Sequence, residues 1–289
     1  MIFKNSGKNR RALLVILLTS FLCFGFWWGK PGVPSATELL DQMIIATQKI
    51  NTLKYTFRIA ERVDGKIKNG SSHVKLQRNP RKLYLNLNGP EVLWMAGKNE
   101  GRALVNPNTF PYVNLNLDPM GSLMRSGQHH TIHEAGFDYF CDIIRNVLNR
   151  AKEKTDYSFT LNGEEKVNGR DAYKITITFP TFGYFSYTVK KDENMVSIAR
   201  AYYLSEYLIL EANPRYSYYN DIEEKDVIRI PNMYAQTLIV FIDKSLMVPI
   251  SLKIYDDKGL FEAYEHLNLV VNPKFEPEEF TEDYKEYNF

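Results

Sequence analysis

The stretch LKYTFRIA at residues 53–60 indicates the fold, because an apolar side chain occupies every second position up to Ile59. A period of two places those side chains on one face of a β-strand and the polar side chains on the other. The pair Asp64-Gly65 follows the stretch as a hairpin turn signal. Strands of this kind, joined by tight turns, are typical of an antiparallel sheet that packs one face on a core.

The same alternation recurs on both sides of the middle of the chain. The middle itself, residues 106–136, contains three prolines and is predicted to be mainly loop. The further strands that the alternation predicts lie at residues 74–77, 83–87, 173–179, 248–254 and 261–269.

Two helices are predicted to pack on this sheet. Ser35 and Glu38 fit the capping-box pattern, and apolar residues follow them at helical spacing as far as Ile50. A second apolar stripe at helical spacing runs over residues 140–151. Strands and helices that are segregated along the chain predict an α+β fold.

The composition excludes a largely disordered or collagen-like chain and a strongly basic one. The chain has 289 residues, of which 44% are hydrophobic and 24% charged, as in an ordinary globular protein. The net charge of +2 comes from four cations, Lys4, Lys8, Arg10 and Arg11, and without them 32 basic residues face 34 acidic ones. The folded part is therefore not basic, and we predict no nucleic-acid partner.

The N-terminal segment predicts export. Residues 12–29 carry no charge and are just long enough to span a bilayer, and the preceding cations should stay in the cytoplasm. This length favours an uncleaved signal anchor in the inner membrane, and a signal peptide cleaved after Ser35 is the alternative. We predict that residues 1–29 form this segment and that residues 30–36 form a linker.

Residues 184–231 interrupt the strand pattern with two apolar stripes at helical spacing, and short strand-like runs flank them. The local order is β-α-α-β within fewer than fifty residues. Because both ends lead back into predicted strands, this segment is expected to be an insert. The β-rich domain is then discontinuous and comprises residues 37–183 and 232–289.

The insert resembles the LysM family, whose small β-α-α-β modules bind N-acetylglucosamine-containing glycans such as peptidoglycan. The matching motifs stand in family order: Tyr187-Thr188-Val189, Asp192-Glu193-Asn194-Met195, Ser197-Ile198-Ala199, Asn213-Pro214 and Ile228-Arg229-Ile230-Pro231. Asp192 and Lys225 stand where the family has turn glycines.

The resemblance implies a shallow sugar groove between the first turn and the loop after the second helix. The alternative is a purely structural module in which Tyr216, Tyr218 and Tyr219 pack on the host sheet. The groove positions carried over from the family are Asp192, Glu193, Asn194, Met195, Val196, Asn213, Pro214, Arg215 and Tyr216.

The rest of the exported chain resembles the LolA/LolB-like lipoprotein-carrier superfamily and, within it, a bacterial family of unknown function. Late motifs carry this likeness: Ile242-Asp243-Lys244, Val248-Pro249-Ile250, Tyr255–Gly259 and Asn272-Pro273. The resemblance implies a curved antiparallel half-barrel over helices. In carriers the apolar concave face holds acyl chains.

Three histidines, His129, His130 and His133, fall within five residues. On a helix, His129 and His133 would share a face and could bind a metal. A second interpretation is a structural loop that closes the barrel mouth, with the imidazoles bonded to backbone carbonyls. A third is a ligand-contacting or pH-sensitive cluster.

These observations predict a membrane-anchored envelope protein that attaches to peptidoglycan through the LysM-like insert, and not an enzyme. No cofactor and no bound metal are predicted. One alternative is a periplasmic carrier or sensor of lipid or lipoprotein acyl chains, in which the insert covers the barrel mouth. Another is a metal-dependent hydrolase that uses the cluster at His129–His133.

Overall fold

The structure is a computed structural model, and it describes residues 34–153 and 156–289. The predicted anchor at residues 1–29, and the predicted linker before Pro34, lie outside the described residues. Within the described ranges, no helix is long and apolar enough to cross a membrane.

Thirteen strands are present in the described part of the chain. In chain order they are β1 (Thr52–Val63), β2 (Lys66–Arg78), β3 (Arg81–Asn86), β4 (Glu91–Met95), β5 (Ala103–Asn106), β6 (Leu115–Leu117), β7 (Ser158–Val167), β8 (Arg170–Thr178), β9 (Tyr184–Thr188), β10 (Val227–Pro231), β11 (Thr237–Asp243), β12 (Pro249–Asp256) and β13 (Gly259–Val271).

Eleven of these strands form one open, curved sheet in the order β6-β5-β4-β3-β2-β1-β13-β12-β11-β8-β7. Every neighbouring pair is antiparallel. β1 and β13 lie at the centre, so the first and last long strands of the chain pair with each other. The predicted α+β class, with an antiparallel half-barrel sheet, is confirmed.

Five α-helices accompany the strands in the described residues: α1 (Ala36–Gln48), α2 (Ser122–Arg125), α3 (Asp138–Ala151), α4 (Met195–Tyr202) and α5 (Glu206–Glu211). The capping box before α1 is present, since the Ser35 hydroxyl accepts from the Glu38 N–H and the Glu38 carboxylate accepts from the Ser35 N–H at 2.7 Å. This box satisfies two N–H groups that the first helical turn would leave unpaired.

The main core lies between the sheet and helices α1 and α3, and it includes Leu40, Met43 and Ile144, which are fully buried. Along β1 the apolar face divides in two: Leu53 is buried in this core, whereas Tyr55, Phe57 and Ile59 line an internal cavity. The alternation of the sequence therefore predicts the inner face correctly, but part of that face lines an open space.

The C-terminal tail packs against β3 and β4 with its aromatic side chains. Phe280 is buried against Tyr84 and Leu93, and the Tyr287 ring stacks on the Tyr84 ring with centroids 3.7 Å apart. The Lys75 ammonium group lies 2.7 Å from the Glu279 carboxylate and so ties β2 to the tail. The tail therefore covers a surface of the sheet that would otherwise expose apolar side chains.

Gly136 lies where the neighbouring Leu76 side chain leaves no room for a Cβ atom. Its φ is +94°, and a Cβ atom there would lie 2.7 Å from Leu76 Cδ2 in the core. We expect Gly136→Ala to lower the free energy of unfolding by about 1–3 kcal/mol more than Gly65→Ala, because only the first change overpacks the core. Gly65 has φ +72° and no neighbour within 4 Å of its Cβ position, so it controls for backbone strain. Urea unfolding of both variants measures the difference, and equal losses would contradict the steric explanation.

Candidate functional site

The insert is a small module with a core of its own. β9 and β10 pair with each other, in a register that runs from Thr188 opposite Val227 to Tyr184 opposite Pro231. Helices α4 and α5 pack on this two-stranded sheet, and Met195, Ile198, Ile209, Ile228 and Ile230 are buried between them. The two strands thus close the module where it leaves and rejoins the larger domain.

Two turn positions keep the backbone geometry of glycine without having glycine. Asp192 has φ +64° and Lys225 has φ +75°. A left-handed backbone is tolerated fairly well by Asp and is costly for Lys, so the surrounding structure must enforce it. It does so on both sides of Lys225, where the Lys225 N–H donates to the Val189 carbonyl and the Val189 N–H donates to the Asp226 carbonyl.

Most polar side chains of the predicted groove are used by the fold of the insert. The Glu193 carboxylate accepts from the Tyr187 hydroxyl and from the Lys190 N–H. The Asn194 side chain caps α4 by accepting from the Ser197 N–H. The buried Asn213 amide bridges Ile209 and Arg229 and so holds α5 to β10.

The side chains at the other predicted groove positions differ in how far they are exposed to solvent. Met195 is fully buried, and its N–H donates to the Tyr219 carbonyl, so the two predicted groove segments belong to adjoining loops. Val196 and Tyr216 are half-buried, with the Tyr216 hydroxyl donating to Asp226. Exposed side chains remain at Asp192, Pro214 and Arg215. A sugar on this surface would meet backbone groups and these three residues.

The three tyrosines of the loop after α5, Tyr216, Tyr218 and Tyr219, make different contacts. Tyr219 lies against the Arg125 guanidinium of the larger domain, 3.7 Å from its ring centroid. Tyr216 packs on the core of the insert, and Tyr218 is 58% exposed. Packing on the host therefore involves one of the three tyrosines.

The insert is fastened to the larger domain by buried ion pairs. Arg125 of α2 lies 2.9 Å from Glu206 of α5, and both side chains are buried. Arg62 of β1 pairs with Asp256 of β12 and with Glu211 of α5. Such charges leave water only when each has a partner, so these pairs fix where α5 sits on the sheet.

His129 is built into this interface. Its ring is stacked between Tyr207 of the insert and Phe261 of β13, with centroids 4.1 and 4.4 Å away. Nδ1 lies 2.7 Å from the Glu262 carboxylate and Nε2 lies 2.8 Å from the Arg62 carbonyl. A carbonyl oxygen can only accept, so Nε2 must carry a proton.

His130 faces the opposite way, towards the internal cavity. Its ring lies between Glu134, the Tyr234 hydroxyl and Glu262. Burial is the largest single influence and opposes protonation of this ring, but the charge and hydrogen bond of Glu262, together with the charges of Glu61 and Glu206, outweigh it and raise the pKa of His130. Burial would raise the pKa of Glu262, and the nearby His130 and His129 instead lower it to about 2. We therefore treat Glu262 as ionised.

His133 is apart from the other two. Its ring packs edge-on against Trp94, and partial burial, together with the charge of Arg81, lowers its pKa. The expectation that His129 and His133 share a helical face is wrong, because only the short 3-10 turn Ile132–Glu134 is helical there. No group of three or more His, Cys, Asp or Glu side chains within the described ranges is arranged to hold a metal ion.

The concave side of the sheet encloses a cavity of about 490 Å³. Its wall is largely apolar, with Phe57, Ile59 and Val74 among the lining residues, and it also contains the polar side chains of His130 and Glu134. β13 contributes Tyr264 and His266, and the Tyr264 hydroxyl donates to Glu61 at 2.7 Å.

Sequence reasoning missed this polar wall. On β13 the alternation selected Phe261, Ala263, Leu267 and Leu269, whereas the cavity is lined by Tyr264 and His266, and Glu262 is fully buried beside them. The signal that could have identified it is Glu61, which continues the inward-facing positions of β1 as a charged residue.

Comparison with protein families gives two matches. Residues 50–195, half of the chain, match the family described as a protein of unknown function, DUF1571. The chain belongs to this family. The LysM domain model matches residues 187–231 of this DUF1571 chain, which confirms the resemblance of the insert. A comparison with curated proteins gave no match.

Solved structures similar to this DUF1571 chain are distant. MucB of Pseudomonas aeruginosa, in its complex with MucA, has 14% identity and a TM-score of 0.38 over 85% of this chain, which spans 60% of the MucB chain. LppX, a lipoprotein of Mycobacterium tuberculosis, has 14% identity and a TM-score of 0.38 over 83% of this chain and 97% of LppX. A LolA superfamily protein of Nitrosomonas europaea has 11% identity and a TM-score of 0.25 over 87% of this chain and 99% of that one.

His266 makes an acid-dependent contribution to stability. Burial alone lowers its pKa from 6.5 to about 3, so the folded protein keeps the ring neutral. Its contribution is complete above pH 6.5 and is lost as the pH falls from 6.5 to about 3, because the unfolded chain takes up the proton first. Between pH 7 and pH 5 the loss is about 2 kcal/mol. Urea unfolding at both pH values should show a loss about 2 kcal/mol larger in the native protein than in His266→Phe, and an equal pH dependence would contradict a buried neutral ring.

Proposed function

We propose that this protein is a cell-envelope binding protein that attaches to peptidoglycan, or to another N-acetylglucosamine-containing glycan, through residues 184–231. The observation that carries the proposal is the LysM match over residues 187–231, on a segment that folds as a closed β-α-α-β module. The left-handed turns at Asp192 and Lys225 support it, since they keep the loop backbone in the form that glycine would give.

The surface of the insert suits a weak, shallow site. Because Glu193, Asn194 and Asn213 are engaged within the fold, recognition rests on backbone amides and on the exposed Asp192, Pro214 and Arg215. A site of this size gives an affinity of about micromolar or weaker. We propose a binding protein and not an enzyme.

We further propose that residues 12–29 act as an uncleaved anchor, so that the folded part faces the periplasm. The N-terminal sequence of the mature protein distinguishes the two alternatives. An anchor leaves the first residues in place, whereas a cleaved signal gives a chain that begins after Ser35.

Blocking the exposed groove should weaken attachment to the cell wall. Pro214→Trp places a bulky ring on the exposed loop after α5, and we expect at least a tenfold weaker association, because a shallow groove cannot adapt to a ring placed in it. The measurement is sedimentation of the full chain with insoluble peptidoglycan, with soluble N-acetylglucosamine oligomers as competitors.

Lys166→Trp is the matched control, because Lys166 is 68% exposed on β7 of the larger domain and the change adds the same ring. Point variants are preferable to deletion of the insert, since deletion would remove Glu206 and Tyr219 from Arg125 and Tyr207 from His129 in the larger domain. The proposal is contradicted if the native protein does not sediment or if both variants sediment equally well.

The cavity favours a second candidate function, that of a periplasmic carrier or sensor of acyl chains. A cavity of about 490 Å³ with a largely apolar wall lies within the size range of small-molecule sites. The insert does not cover it, because the described lining contains no residue of 184–231. Solvent extraction of the purified protein should release an acyl-chain lipid in about stoichiometric amount, and an empty extract would count against this function.

A further inference from the structure

His266 is a polar group without a polar partner in the wall of the cavity. It is 5% exposed, and within the described part of the chain its Nδ1 atom has no hydrogen-bond partner. Aromatic rings surround it, with the centroids of Tyr55, Phe57 and Phe137 at 4.9–5.0 Å. A buried polar atom is nearly always paired, and His266 belongs to the wall of an open space, so its unpaired nitrogen indicates that a ligand packed against the ring completes the pair.

The charges of the lining determine which ligands fit. The described lining contains no lysine or arginine, and its one histidine beside carboxylates, His130, is already engaged with Glu134. Two carboxylates, Glu61 and Glu134, belong to the same wall. An anionic headgroup would therefore be brought near negative charges with no free cation in the wall to neutralise it.

The volume is enough for a chain-like ligand. At about 490 Å³ the cavity lies within the range of small-molecule sites, which is about 300–1,000 Å³. The apolar wall at Phe57, Ile59 and Val74 suits the chain.

We propose that the cavity binds one uncharged, single-chain amphiphile, whose hydroxyl group is hydrogen-bonded by the His266 ring. A hydroxyl both donates and accepts, so it pairs with a ring nitrogen in either tautomer of the neutral ring. The proposal rests on the carrier function above and specifies its ligand class.

The test uses the full chain held in phosphatidylcholine nanodiscs, and radiolabelled 1-tetradecanol and tetradecanoate as probes. Binding per chain is measured against empty nanodiscs at neutral pH. We expect the alcohol to bind at least tenfold more tightly than the carboxylate. His266→Phe should weaken binding of the alcohol about tenfold, and His266→Gln, which keeps a donor and an acceptor, should restore part of the loss.

His73→Phe is the matched control, since His73 is an exposed histidine of β2 and does not line the cavity. Equal binding of alcohol and carboxylate overturns the ligand class and leaves the carrier function standing. Binding of neither probe overturns the carrier function itself. If His266→Phe remains folded by circular dichroism and binds the alcohol as the native protein does, the role of His266 is wrong.

Discussion

The architecture depends on the need to neutralise charges that are buried between the insert and the sheet. Arg62 and Arg125 belong to the larger domain, and their partners Glu211 and Glu206 belong to α5 of the insert. Removing water from such groups costs several kcal/mol for each ion, which only a well-placed partner offsets. The pairs therefore allow one position of α5 on the sheet, and an insert that could have been a flexible appendage is held in place.

The loop that carries His129, His130 and His133 takes its position from the same interface. His129 fills the space between Tyr207 and Phe261, and its two ring nitrogens connect Glu262 to the backbone of β1. Glu61 accepts from the His129 N–H and from the Tyr264 hydroxyl, so it fixes the loop to the central strands as well. The loop is thus ordered by buried acids on β1 and β13 and needs no metal for its shape.

Sequence reasoning captured the features that short-range patterns encode. The strand alternation from Leu53 to Ile59 and the LysM motifs over the insert are local, and both predict structure that is present. The polar wall could not be predicted, because His129 and Glu262 are 133 positions apart and a buried glutamate looks like a surface one until its partner is known. Of the predicted groove, Asn213 shows the limit of motif transfer, since its amide is used to hold β10.

Side chains of the cavity wall join the cavity to the insert. Tyr139 lines the cavity and donates to the Leu204 carbonyl of the insert. Glu134 lines the cavity, contacts His130 there, and pairs with Arg200 of α4 on its other side. Arg200 in turn contacts Glu206, which holds Arg125. Every charge in this series is balanced by its neighbours. A ligand that displaced Glu134 would remove a carboxylate partner from Arg200 and so weaken the ion pairs that hold the insert on the larger domain. A ligand that leaves Glu134 in place, and pairs with His266 instead, fills the cavity without that cost. The arrangement of charges thus favours an uncharged occupant for the same reason that it holds the insert in place.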